Sequence, residues 1–147
     1  MATGHGRVST LTNMASLTLD IAHQIIQGAI AEAEKHSLKV SVAIVDAGGN
    51  LVAFSRMDGA EIAGPVLAVD KAYTAVSNRI STEELGNLAQ PGGELFGIQS
   101  SGGGRFVIFG GGVPLWDGDQ VAGGIGVSGA SASEDAACAT AGAALWR

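Results

Sequence analysis

The stretch KVSVAIVDAGGNLVAFSRMDGA, Lys39 to Ala60, decides the architecture of this chain. Two runs rich in Val, Ile and Phe flank Gly48-Gly49-Asn50, and glycine and asparagine tolerate the positive φ of a primed hairpin turn. The spacing predicts a β-hairpin with strands near 39–46 and 51–57. Both strands deliver polar residues to their ends: Asp46 before the turn, Arg56 and Asp58 at the exit. A hairpin this apolar must be covered on at least one face, so it belongs in the middle of a sheet.

On the N-terminal side, Ala22, Ile25, Ile26, Ala29, Ile30 and Ala33 follow helical spacing between Leu17 and Lys35. Ser16 or Thr18 can cap that helix, and Asp20 meets the positive end of its dipole. Residues 1–15 are small and polar without periodicity and are expected to form a flexible tail, leaving 16–147 as a single domain. Beyond the hairpin, Pro65 is placed to open a second helix through Tyr73 and Val76. Ser81 to Glu84 offers a capping box for a short third helix ending before Pro91. Strands are expected at about 105–109, 113–116 and 121–127, with Asp117-Gly118-Asp119 as a second hairpin turn. Ser131 to Glu134 caps a last helix reaching Trp146. Strands joined by short turns make an antiparallel sheet, and the helices must cover its faces. The expected fold class is therefore α+β, a five-stranded antiparallel sheet of profilin-like or PAS-like build.

At 147 residues the chain is long enough for a genuine core. Charged residues make up only 15% of it against 46% hydrophobic, well below the roughly 25% charged of average soluble domains. So few charges leave nonpolar surface to be buried against copies of the same chain, which predicts a homo-oligomer. The net charge of −6 with eight scattered basic residues argues against nucleic-acid binding. No apolar run is long enough and glycine-free enough to span a membrane. The start has no apolar signal-like segment and Cys138 is the one cysteine, so the cytoplasm is the expected location.

The runs Leu17-Thr-Leu, Val42-Ala-Ile-Val-Asp-Ala-Gly-Gly, Leu51-Val-Ala-Phe, Arg56-Met-Asp-Gly59, Lys71-Ala-Tyr-Thr-Ala75, Pro91-Gly-Gly93, Gly110-Gly-Gly-Val-Pro-Leu115 and Ile125-Gly-Val-Ser-Gly-Ala130 carry a resemblance. They resemble the GlcG/HbpS family, which includes haem-binding HbpS proteins and the C-terminal domain of PduO-type proteins. The resemblance covers about 17–147. It implies a profilin-like, GlcG-like fold, a compact homo-oligomer that is often an octamer, and haem or another tetrapyrrole as ligand. Other members sit in catabolic gene clusters. A small haem-binding oligomer is thus the leading functional expectation. The alternative is a catabolic enzyme, a deaminase, isomerase or hydrolase, acting on an organic acid.

Lys71 stands in an otherwise apolar helix, as a buried base, a Schiff-base former or an anion anchor. The plainer reading is a snorkelling lysine or one paired with Asp46 or Asp58. Thr74 shares its helix face, and the resemblance to the family motif implies that it lies near a bound haem, where a hydroxyl can ligate iron weakly. His23 flanks the apolar stripe of the first helix, where an imidazole is either a haem ligand or a surface group. Arg56 and Asp58 can clamp a carboxylate or propionate, or simply pair with each other. Asp46 is a turn-forming carboxylate, or the general base of the enzymatic alternative. The run Ser100-Ser-Gly-Gly-Gly-Arg105 presents backbone amides, Gly103 and Gly104 among them, that can nest an anion. The lone His23, without a second histidine or cysteine at ligand spacing, argues against a structural zinc site. Trp116 and Trp146 read as core or interface anchors.

Overall fold

The computed structural model describes residues 16–146, so the expected N-terminal tail lies outside the described residues. In chain order the elements are α1 (Leu19–Lys35), β1 (Ser41–Asp46), β2 (Leu51–Arg56), α2 (Gly64–Asn78), α3 (Thr82–Leu88), β3 (Gly112–Asp117), β4 (Gln120–Ser128) and α4 (Ala132–Ala143). Two short 3₁₀ turns, Ile98–Ser100 and Gly102–Gly104, interrupt the long connection between α3 and β3.

The hairpin forms where the sequence placed it. The Asp46 carboxylate accepts from the backbone N–H of Gly48 and of Asn50, both at 2.9 Å, and Gly49 takes the positive φ of 80° that the turn demands. β1 then pairs antiparallel with β4 on its other side. The sheet order is β2-β1-β4-β3, so β1 and β4 are the inner strands.

Alternation along the inner strands sorts the two faces. Val42, Ile44, Ile125 and Val127 turn to one side, where they meet Ile25, Ile26 and Ala29 of α1 and Cys138 and Ala139 of α4. Each such buried aliphatic side chain contributes about 1.5–3 kcal/mol. Val45 turns to the opposite side and meets Ala72 and Val76 of α2. Gly124 and Gly126 of β4 face that side too. A Cβ at Gly126 would overlap the Ala68 carbonyl, so glycine is what lets α2 lie directly on the sheet.

The expected fifth strand is absent from the sheet, which has four strands among the described residues. Residues 105–109 are apolar enough to read as a strand, but Arg105 is held in a right-handed helical turn and the backbone that follows finds a side chain instead of a sheet neighbour. The Val107 N–H donates to the Thr74 hydroxyl at 3.0 Å, and the Arg105 carbonyl accepts from the same hydroxyl at 3.2 Å. Two boundaries also move. Thr18 caps α1, its hydroxyl accepting from the Ile21 N–H, so the helix begins at Leu19 rather than Leu17. α4 stops at Ala143, and the Trp146 indole N–H donates to the Trp116 carbonyl at 2.8 Å. The Ser131 and Glu134 capping box forms in full at the start of α4.

Candidate functional site

α2 reaches α4 through one long side chain. Lys71, 1% exposed, extends from α2 and its ammonium donates to the Asp135 carboxylate and to the Val127 carbonyl, each at 3.0 Å. Asp135, 2% exposed, sits in the first turn of α4 and also accepts from the backbone N–H of Ala130 at 2.9 Å and of Gly129 at 3.4 Å. One carboxylate thus gathers the end of β4, the start of α4 and the ammonium from α2. Burial lowers the Lys71 pKa from its ordinary value, against the pull of Asp135 and Glu61. Burial likewise raises that of Asp135, against Lys71 and the two backbone donors.

The glycine run Gly110-Gly111-Gly112 closes over this pair. Gly111 adopts φ 134°, and a Cβ there would lie 2.7 Å from the Lys71 ammonium and overlap the Val127 carbonyl. The ring of Phe109 lies 5.0 Å from the same ammonium and is itself 43% exposed. A desolvated cation beneath an aromatic ring gains from the ring quadrupole. Outside the pair, Ile62 (87% exposed), Val66 (67%) and Phe96 (64%) are also open to solvent.

The expected partners of Lys71 are corrected by this geometry: it pairs with neither Asp46 nor Asp58, but with Asp135. Asp46 Oδ1 is engaged by the donors of its own turn. Arg56 and Asp58 form no ion pair among the described residues. The Arg56 guanidinium instead grips the Ala60 carbonyl, at 3.2 Å from Nε and 2.7 Å from Nη2, and Asp58 is exposed. The Thr74 hydroxyl lies 2.6 Å from the Asp70 carbonyl in addition to its bonds to the 105–107 segment. His23 is exposed on α1. Gly103 and Gly104 have φ of 68° and 79°, and the Gly104 N–H is taken by the Ser101 carbonyl. Lys71 and Thr74 therefore share a helix face, whereas His23, Arg56 and Asp46 stand on other elements.

Sequence reasoning missed Asp135, Phe109 and Arg105. Arg105 Nε bonds Asp70 at 2.9 Å, and its guanidinium lies 3.8 Å from the Tyr73 ring centre. The signal for Asp135 was indirect: a lysine buried in an apolar helix needs an acid, and the one beside a helix cap can receive backbone donors as well.

Fold and site together define a small α+β protein with a four-stranded antiparallel sheet, helices on both faces and a buried lysine–aspartate tie. Residues 17–144 match the family described as haem degrading protein HbpS-like, and the chain belongs to that family. It is 40% identical over 120 residues to the corrinoid adenosyltransferase PduO of Citrobacter freundii, covering 82% of this chain and 36% of that protein. The chain thus spans little more than a third of that relative's length. Among solved structures it is similar to a complex of PduOC with haem, at 37% identity and a TM-score of 0.85, covering 89% of this chain and 95% of that one. It is equally similar in shape to the ORFY protein of Klebsiella pneumoniae, at 32% identity and a TM-score of 0.85, covering 90% and 92%. Among the described residues no helix is long and apolar enough to cross a membrane.

Proposed function

We propose that this chain is a haem-binding protein that assembles as a small homo-oligomer and holds the tetrapyrrole in an apolar crevice between copies. The observation that carries this reading is the likeness to PduOC, solved with haem bound. The chain's own residues suit the group. A haem requires apolar walls, a ligand for its iron and cations near its propionates. Ile62, Val66, Phe96 and Phe109 supply exposed apolar surface. His23 carries an exposed imidazole with no hydrogen-bond partner among the described residues and would hold the iron. Arg56, exposed and with Nε and Nη2 on the Ala60 carbonyl, has Nη1 left to donate to a propionate, and Asp58 follows two residues on.

These groups lie on α1, β2 and the connections around α2 and before β3, which supports a site shared between subunits. The low charge content supports the same assembly, with an octamer as the specific expectation from the family. The two-sided covering of the sheet is in keeping with a profilin-like build. Thr74 then acts from behind the site by holding the segment that carries Phe109. Haem, when bound, supplies redox-active iron, and the chain's residues bind and orient it.

Hemin titration of the purified protein, followed in the Soret region, tests the reading. A saturable Soret shift that weakens and changes position in His23→Ala is the expected result. The absence of saturable binding overturns it.

A further inference from the structure

A cleft of about 590 Å³ opens between the β1–β2 turn, the C-terminal end of α2 and the β3–β4 turn, and its lining includes none of the residues proposed to hold haem. Its volume falls in the range of roughly 300–1,000 Å³ usual for small-molecule sites. Gly48, Gly49, Tyr73, Arg79, Asp119 and Gln120 contribute to its walls.

The walls are held in place. Asp46 fixes the hairpin turn, and Gly49 of that turn lies so close to Tyr73 that a Cβ would sit 2.9 Å from the ring. The Arg105 guanidinium stacks on the Tyr73 ring, and Phe106 packs against it at 6.3 Å between centroids. Tyr73 is therefore pinned by three neighbours, the kind of support that a preorganised site needs.

The polar groups around this rigid floor are, by contrast, unengaged. Arg79 ends α2 in the left-handed conformation, φ 56°, an uncommon and strained state for a residue with a side chain. Among the described residues its guanidinium makes no hydrogen bond or ion pair. The same holds for the Tyr73 hydroxyl, the Asp119 carboxylate and the Gln120 amide. A chain of net charge −6 with only eight basic residues thus leaves Arg79 unpaired, among the described residues, in the lining of this cleft. A guanidinium matches a carboxylate through two parallel hydrogen bonds. Asp119 on the facing turn repels a bare anion but accepts a bond from a hydroxyl or an ammonium.

We propose that this cleft binds a small carboxylic acid bearing a hydroxyl or ammonium group, with Arg79 holding the carboxylate and Asp119 receiving the donor. The site is separate from the haem reading, and the failure of either leaves the other standing.

The test is a heteronuclear NMR titration of the whole protein with D-glycerate and L-serine, using glycerol and ethanolamine as controls without a carboxylate. Saturable shifts at Tyr73, Arg79 and Gln120 are expected with the two acids and not with the controls. Arg79→Gln is expected to weaken both acids about tenfold or more, the loss of a bidentate charge-assisted pair. Arg79→Lys, which keeps the cation, retains part of the affinity and guards against a folding defect in the first variant. Asp119→Asn weakens L-serine more than D-glycerate. No saturable shift with either acid, equal affinity in Arg79→Gln, or an equal response to glycerol overturns the proposal. So does a cleft that another copy of the chain covers in solution.

Discussion

The Lys71 ammonium and the Asp135 carboxylate lie 3.0 Å apart, on two helices, with both side chains almost wholly removed from solvent. Such a pair is costly to desolvate, and replacing both members with apolar groups is often neutral. Removing one member is different, because it strands a buried charge. Lys71→Met and Asp135→Leu are each expected to cost about 3–5 kcal/mol, and the double variant less than the sum. Urea unfolding of the three variants checks this. Single losses below about 1 kcal/mol would show that the pair behaves as if it were exposed.

Thr74 makes a second prediction. Its hydroxyl accepts from the Val107 N–H, and Thr74→Val leaves that buried donor unmatched. The expected loss is about 1–3 kcal/mol, with Thr74→Ser close to the parent protein. Hydrogen exchange at Val107 should accelerate in Thr74→Val alone. Unchanged exchange would mean that the 105–109 segment is held by something else.

Cys138 is 1% exposed, and burial pushes its thiol from 9.0 up to about 11. A thiol with a raised native pKa stabilises the fold fully below the unfolded value, and the contribution fades as pH rises through the native one. The folded protein is therefore expected to resist iodoacetamide at pH 8 and to react on unfolding in urea. Its stability should fall between about pH 9 and pH 11 by more than that of Cys138→Ala. Rapid alkylation of the native protein would contradict the burial.

Ser41 is a test of opposite sign. Its hydroxyl is buried in β1 with no hydrogen-bond partner among the described residues. Ser41→Ala removes an unmatched polar group and is expected to leave stability unchanged or to raise it by about 1 kcal/mol. Thermal melting measures the shift, and a clear destabilisation would reveal a partner for the hydroxyl.

What was legible in the sequence is what local chemistry decides. The hairpin around Gly49, Pro65 at the start of α2 and the capping residues Thr18, Ser81 and Ser131 all act within a few residues. The strand expected at 105–109 failed because an apolar run does not say where its backbone bonds go, and here Thr74 takes those of Arg105 and Val107. The partner of Lys71 lies 64 residues away, and nothing in the spacing points from one to the other. The capping box at Ser131 directs attention to Glu134, while the next residue, Asp135, is the one that turns inward. Arg79 gave no signal either, since a lone arginine at a helix end is unremarkable until the turns around it close a cleft.

The central claim, that copies of this chain assemble around a tetrapyrrole, is tested most directly by native mass spectrometry of the protein with and without hemin. The expected spectrum shows a closed assembly of several identical subunits that gains hemin masses in a fixed ratio to its subunits. A monomer that gains none, at concentrations where it remains folded, would contradict it.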